Sequence, residues 1–234
     1  MDGVKEVSTP VHALDTFPSA TSSDIVDASS FRCLIELLQY LGITQTYVSF
    51  TINRLSLFMH VPVACHWSTA KWVLRYLKGT MYHGLFLKSG SFLHLTAFSV
   101  SDWGGSSTSG CSTTSYILYL GSSIIFWKST CKKSVSCSSM EAEHRALANA
   151  AEEILWVENL LRELKNMLCR PPVLFCDNLS GTYVSNGALV VRHVSSKCQI
   201  ADVLTNSLGH ALFQHFRIKI GVFDGSSILR GHIK

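Results

Sequence analysis

The chain has 234 residues, of which 47% are hydrophobic and 15% charged, with 15 glycines and 5 prolines. This composition excludes collagen, a coiled coil and a chain disordered throughout, and the length allows one or two modest domains. The formal net charge of +4 permits an anionic partner without requiring one. Charge alone therefore assigns no function.

No apolar run approaches the roughly 18 to 20 residues that a membrane-spanning helix needs. The first five residues also lack the apolar core of a signal peptide. We therefore expect no membrane partner and an intracellular location, in the cytoplasm or the nucleus. The eight cysteines contain no C-x-x-C pair, which argues against a zinc ribbon and predicts buried, reduced thiols.

The first third of the chain is predicted to be helical after an irregular start. Residues 1–28 are rich in Ser, Thr, Asp and Pro and predict an extended or disordered lead-in. Apolar residues at helical spacing then predict helices over 31–41, 50–59 and about 67–79, with Ser49 as the N-cap of the second. Residues 29–80 are thus expected to form a small helical region.

Short apolar runs replace the helical period after residue 80. They predict strands at 84–88, 93–101, 116–120, 123–128, 173–176 and 189–193, with a turn at Gly121 and Ser122. Ser138 and Glu141 have capping-box spacing at the start of a long amphipathic helix, and further helical stretches are predicted at 180–185, 199–204 and 213–220. The fold class is therefore α/β, a mixed sheet with flanking helices over 81–223 and a tail at 224–234.

Three acids stand where a catalytic metal site would need them. Glu143 shares the apolar face of the long helix, and Asp177 directly follows the strand at 173–176, at an edge where open sheets bind ligands. Asp202 interrupts an otherwise apolar helical stretch. Each acid alone is better explained as a helix cap or a salt-bridged residue. Together they predict convergent oxygen ligands for a hard divalent cation.

The ordered series of motifs resembles a known family over nearly the whole chain. The chain resembles the C-terminal end of the Pol polyprotein of plant copia-type retrotransposons, comprising the last helical part of the reverse transcriptase and the ribonuclease H domain. The motifs that carry the resemblance are Val7-Ser8-Thr9-Pro10, His66-Trp67, Leu74-Arg75-Tyr76-Leu77-Lys78-Gly79-Thr80, Asp102-Trp103, Ser138-Ser139-Met140-Glu141-Ala142-Glu143, Phe175-Cys176-Asp177-Asn178, Arg192-His193-Val194 and Ala201-Asp202-Val203-Leu204-Thr205.

The resemblance implies a ribonuclease H-like fold that hydrolyses the RNA strand of an RNA/DNA hybrid with two Mg²⁺ or Mn²⁺ ions. Matched position by position, Glu143, Asp177 and Asp202 are three of the four catalytic, metal-binding acids. His193 matches a residue with an auxiliary role near the leaving product, although a structural histidine is an equal alternative. The implied partners are the hybrid and the remaining reverse transcriptase parts of Pol.

The sequence departs from the family at the first metal-bridging acid, where Val100 stands. Asp102 matches the second, non-catalytic acid of that motif and lies roughly 6 to 7 Å further along the strand, so it is an auxiliary ligand at most. The stretch between Asp177 and His193 is also short and has lost its basic residues. We therefore expect weak or single-ion binding and an activity that is lost or severely reduced.

Two alternatives stay open at this stage. One is a ribonuclease H that is still active with the three remaining acids. The other is a domesticated, non-catalytic module that binds protein or nucleic acid, the latter with Trp67 and Trp72 stacking on bases. The candidate nucleic-acid-binding residues are Lys71, Arg75, Lys78, Lys132 and Lys133. For these basic residues a solvated helix face, with the tryptophans in the core, is the plainer interpretation.

Overall fold

The computed structural model describes residues 4–11, 26–42, 44–90, 92–104, 112–131, 136–177 and 189–226. The chain divides into two compact units, one made of Met1–Leu85 with Ser207–Lys234 and the other of Phe86–Asn206. The second unit differs from the predicted range 81–223 in leaving out residues 81–85 and 207–223, which belong to the first unit. Among the described residues, no helix is long and apolar enough to cross a membrane.

The first unit is built from four helices and a two-stranded sheet. Its elements are α1 (Ala28–Gly42), a 3₁₀ helix (Thr46–Val48), α2 (Ser49–Ser56), α3 (Ala64–Gly79), β1 (His83–Leu85), α5 (His210–Ile220) and β7 (Val222–Asp224). β1 and β7 pair antiparallel. The rings of Tyr47, Tyr76 and Phe213 meet edge to face, with centroids 5.8 to 6.4 Å apart, and form the centre of the core.

The second unit contains a mixed five-stranded sheet covered by one long helix. Its strands are β2 (Leu95–Asp102), β3 (Thr113–Leu120), β4 (Ser123–Cys131), β5 (Val173–Cys176) and β6 (Val190–His193), and its long helix is α4 (Ser139–Glu163). The strand order is β4-β3-β2-β5-β6. β3 pairs antiparallel with both β2 and β4, whereas β5 pairs parallel with β2, and β6 pairs parallel with β5. This order and these directions are those of a ribonuclease H-like sheet, and the predicted fold class is confirmed.

The long helix begins and packs as its sequence predicts. The Ser138 hydroxyl accepts a hydrogen bond from the Glu141 N–H, and the Glu141 carboxylate accepts one from the Cys137 N–H. Ala150 and Ile154 then pack against the sheet, because every third or fourth residue of α4 turns toward it. The core of this unit consists of Leu95, Ala97, Tyr116, Leu118, Ala150, Ile154, Val157, Leu161 and Leu174.

Several local predictions were wrong. Ser49 is the first residue of α2 rather than its N-cap, and its hydroxyl donates to the Gly42 carbonyl. The apolar spacing of the long helix also predicted a buried Leu164, which is exposed and lies one residue beyond the end of α4. Of the described cysteines only Cys176 is buried, and the others are at least partly exposed. The predicted helical stretch at 180–185 lies outside the described residues.

Candidate active site

The structure brings the three predicted acids together at one edge of the second unit's sheet. Glu143 lies in the first turns of α4, Asp177 follows β5, and Asp202 lies in a 3₁₀ helix, Ile200–Leu204. The charges of Asp177 and Asp202 are close enough to raise the pKa of Glu143, and the charge of Asp177 also raises the pKa of Asp202. The convergence inferred from the order of the motifs is therefore present in the fold.

Glu143 is the most buried member of this acidic cluster. One carboxylate oxygen, Oε1, accepts a hydrogen bond of 2.9 Å from the Ser101 N–H, while Oε2 is buried without a partner among the described residues. Burial, as the largest cause, and the charges of Asp177 and Asp202 together raise the pKa of Glu143 to about 7. The hydrogen bond from Ser101 acts in the opposite direction and lowers this pKa. This carboxyl group is therefore half protonated near neutral pH.

Asp202 also has a raised pKa. Burial, as the largest cause, and the charges of Asp177 and Asp102 together raise it to about 7. One oxygen of Asp177 is also buried without a hydrogen-bond partner among the described residues. A cluster of acids with orphaned oxygens and raised pKa values lacks positive charge, which protons or a cation would supply.

Val100 lies on β2, next in sequence to a residue that contacts this cluster. That neighbour, Ser101, holds Glu143, and continuing the parallel register, in which Phe98 pairs with Phe175, by two residues sets Val100 level with Asp177. The isopropyl group is only 4% exposed and offers no lone pair. An apolar side chain thus lies level with Asp177, at the position where the family resemblance implies a bridging acid.

Asp102 is part of the same electrostatic group. It ends β2, on the face of the strand that carries Val100, since residues two apart along a strand share a face. Its charge raises the pKa of Asp202, which places the two carboxylates near each other. The auxiliary position predicted for Asp102 is therefore geometrically reasonable, although it lies one strand repeat beyond the bridging position.

The carboxylates of this cluster are the type of ligand that a divalent cation prefers, but they are not spaced to hold one. Carboxylate oxygens are the preferred ligands of Mg²⁺ and Mn²⁺, and two of those present are orphaned. Yet within the described part of the chain, no three His, Cys, Asp or Glu side chains are arranged to hold one ion. These residues do not fit a two-ion centre.

Gln199 is a site-building residue that the sequence analysis missed. Its side chain is fully buried, donates to the Ser99 carbonyl at 2.9 Å and accepts from the Ala201 N–H at 3.4 Å. The hydroxyls of Ser115 and Ser129 also donate to the Leu204 carbonyl. These contacts fix the short helix of Asp202 on the sheet. The sequence signal that could have identified Gln199 is a polar amide directly before the apolar run at 200–204.

The remaining predicted residues lie elsewhere or outside the described ranges. His193 ends the edge strand β6, pairs with Cys176 and is exposed, so it is close to Asp177 in register without a described contact to the acids. Lys132, Lys133 and the shortened stretch at 178–188 lie outside the described residues. Lys71, Arg75 and Lys78 belong to α3 of the first unit.

The basic residues of α3 are engaged in contacts within their own unit. Arg75 Nε donates to the Lys5 carbonyl at 2.7 Å, and Lys78 Nζ to the Val4 carbonyl at 3.4 Å. The indole N–H of Trp72 donates to the Thr9 carbonyl at 2.8 Å. This face of α3 therefore holds residues 4–11, the described part of the predicted lead-in.

No protein-family model matches the chain. It is 40% identical over 93% of its length to the retrovirus-related Pol polyproteins from transposons RE2 and RE1 of Arabidopsis thaliana, and spans 17% and 16% of their lengths. It is also 40% identical over 65% of its length to the uncharacterized mitochondrial protein AtMg00810 of the same plant, of which it covers 63%.

A comparison with solved structures finds the N-terminal ribonuclease H domain of rv2228c from Mycobacterium tuberculosis, fused to maltose-binding protein. The TM-score is 0.37 with 11% identity, over 53% of this chain and 98% of that chain. The strand order and directions, rather than this likeness, define the chain as a ribonuclease H-like α/β protein. The chain belongs to the retrovirus-related Pol polyproteins of plant copia-type transposons, of which it matches one segment.

Proposed function

We propose that this chain is a ribonuclease H-like Pol segment whose ancestral reaction, hydrolysis of RNA in RNA/DNA hybrids, is lost or severely reduced. Val100 is the observation that carries the proposal. In a two-ion reaction, ions about 3.5 to 4 Å apart need a shared anionic ligand that offsets their repulsion. A buried valine level with Asp177 offers none.

The raised pKa values of Glu143 and Asp202 support the same conclusion. Protons already compensate part of the acidic cluster near neutral pH, so a cation must displace them in order to bind. With one ligand missing and the others partly protonated, we propose weak binding of a single Mg²⁺ or Mn²⁺ ion. The carboxylates that such an ion would contact are those of Glu143, Asp177 and Asp202, with Asp102 as an auxiliary one. No three of the described acids are arranged to hold one ion together, which is a further reason to expect weak binding.

Nucleic-acid affinity is proposed to be weak as well. Phosphate contacts supply much of the affinity of a protein for nucleic acid, and they need free cationic side chains. Arg75 and Lys78 instead hold backbone carbonyls of residues 4–11. The partners proposed for this segment are an RNA/DNA hybrid, bound weakly, and the remaining reverse transcriptase parts of a Pol polyprotein.

The direct test is cleavage of a labelled RNA/DNA hybrid by the purified chain in Mg²⁺ and in Mn²⁺. A Glu143→Gln variant is the matched control, because it keeps the shape of the side chain and removes its charge. We expect the unmodified chain to cleave no faster than this control. Cleavage that requires Glu143 would overturn the proposal and establish an active ribonuclease H that works without an acid at residue 100.

A further inference from the structure

The second unit has a large cleft at the end of its sheet opposite the acidic cluster. The cavity measures about 710 Å³ and lies at the start of β5 and β6, where Val173 and Val190 line it. Asp177 follows the other end of β5, and four residues of strand, about 13 Å, separate the two places. The cleft is therefore a distinct feature from the candidate active site.

The lining combines two arginines with apolar walls. Arg170 and Arg192 reach the cleft from the segment before β5 and from β6, and none of the described lining residues is acidic. Both side chains are exposed, and within the described residues neither forms an ion pair. Two uncompensated guanidinium groups favour an anion with paired oxygen atoms, a carboxylate or a phosphate, because each guanidinium can donate two parallel hydrogen bonds.

An aromatic ring lies at the rim of the same cleft. Phe92 lines the cavity and is 84% exposed, which is unusual for a phenylalanine and leaves its ring face available for stacking. The cavity volume exceeds what a lone phosphate ion needs and lies within the range of small-molecule sites, about 300 to 1,000 Å³. A ligand that satisfies both the apolar walls and the arginines carries a flat ring and an anionic group.

The walls of the cleft are tied together by backbone hydrogen bonds. The Cys169 N–H donates to the Leu93 carbonyl at 3.1 Å, and the Val190 N–H donates to the Pro172 carbonyl at 2.9 Å. These contacts hold the segment before β5 against the residues that precede β2 and against β6. The cleft is thus formed by the fold itself, and a ligand gains affinity because little ordering is required on binding.

We propose that this cleft binds a nucleotide, with its phosphate on Arg170 and Arg192 and its base against Phe92 and the apolar walls. Two sources offer this chemistry, a free mononucleotide and the 5′-phosphorylated end of a single strand. Stacking of bases on aromatic side chains together with cationic contacts to phosphate is a general mode of binding single-stranded nucleic acid. The site is separate from the hybrid-cleaving centre and does not depend on its activity.

Cys169 provides a built-in probe, because it lines the cleft and its thiol is exposed. The full-length chain is alkylated with iodoacetamide, and the rate at Cys169 is followed by mass spectrometry. Cys33, exposed in the other unit, is the internal reference. We expect AMP to slow alkylation of Cys169 several-fold while the rate at Cys33 is unchanged. A 5′-phosphorylated oligodeoxyadenylate tested in parallel distinguishes a strand end from a free nucleotide.

Variants assign the contacts. Arg170→Gln or Arg192→Gln should raise the AMP concentration needed for protection about tenfold, the effect of losing one charged hydrogen-bonding group. Arg32→Gln, an equal loss of charge on an exposed position of α1, should not. Phe92→Ala should weaken protection by AMP, and circular dichroism verifies that each variant is folded.

Three results would overturn the proposal. The first is an unchanged rate at Cys169 in the presence of both AMP and the oligonucleotide. The second is equal protection by inorganic phosphate, which would define a simple anion site. The third is equal protection by adenosine, or by AMP in the arginine variants, because the arginines would then have no role in recognition.

Discussion

At the residue scale, Val100 and the acids around it determine the chemistry of the site. The order of the motifs predicted which acids would converge, because each lay at a strand end or on a buried helix face. The sequence did not predict that the Ser101 N–H would hold Glu143, or that Gln199 would anchor the helix of Asp202. Such contacts join residues distant in the chain and follow from packing rather than from local pattern.

The raised pKa values make stability depend on pH in a defined direction. In the folded state Glu143 and Asp202 have pKa values of about 7, above their ordinary values of 4.5 and 3.8. The folded chain therefore binds more protons than the unfolded chain between about pH 4 and pH 7. The free energy of unfolding contributed by these groups falls as the pH rises through this window.

We expect the two carboxyl groups together to make the chain on the order of 5 kcal/mol less stable at about pH 8 than at about pH 5, because each contributes about 1.4 kcal/mol per pH unit below its folded pKa. Urea unfolding at both values measures the difference. Glu143→Gln should roughly halve this dependence, because the amide does not titrate and Asp202 still does, whereas Glu158→Gln elsewhere on α4 should leave it intact. Stability that is flat or rises with pH in the unmodified chain would contradict the assignment.

At the element scale, periodicity predicted the core elements well and their ends less well. The helices α1 and α3, the β3–β4 hairpin and β5 follow their patterns because apolar spacing and turn residues act locally. Gly121 adopts the positive φ of 62° that its turn requires. Strand β7 was not predicted. Val222 and Phe223 were placed at the end of the α/β region and Asp224 in the tail, because these three residues become a strand only by pairing with β1.

The 3₁₀ helix of Asp202 depends on a buried side-chain anchor. Replacing Gln199 with Leu removes the donor to the Ser99 carbonyl and leaves that buried oxygen unpaired, which should lower the free energy of unfolding by about 1 to 3 kcal/mol. Urea denaturation measures the change. Gln214→Leu is the matched control, because its amide makes only an exposed 3.5 Å contact. Equal effects of the two substitutions would show that the Gln199 anchor contributes nothing specific.

We expect helix α3 to bind the chain's own N-terminal segment, residues 4–11, in preference to nucleic acid. The variant Trp72→Phe combined with Arg75→Gln removes two donors to the carbonyls of residues 4–11 and should accelerate Glu-C cleavage after exposed Glu6 several-fold. Lys71→Gln, which loses a charge of the same helix without a donor to this segment, should leave the rate unchanged. If the paired substitutions instead weakened hybrid binding and left proteolysis unaffected, the face would be a nucleic-acid surface.

At the scale of the whole molecule, the chain combines a ribonuclease H-like sheet order with an acidic centre that lacks a carboxylate at residue 100. The sheet order, the long helix and three of the acids are in place, while residue 100, the position of the fourth acid, is apolar.

Adding a carboxylate at residue 100 should therefore improve cation binding. We expect Mg²⁺ to raise the melting temperature of Val100→Asp more than that of the unmodified chain, because a ligand that binds only the folded state stabilises it. Equal shifts would contradict this prediction.

The most direct test of the central claim is Mg²⁺- and Mn²⁺-dependent cleavage of a labelled RNA/DNA hybrid by Val100→Asp. Val100→Asn is the matched control, because asparagine has nearly the same shape as aspartate without its charge. The account predicts cleavage by the aspartate variant and none by the asparagine variant or the unmodified chain. A folded, Mg²⁺-binding aspartate variant that leaves the hybrid intact would contradict the claim that Val100 is the main cause of the lost activity.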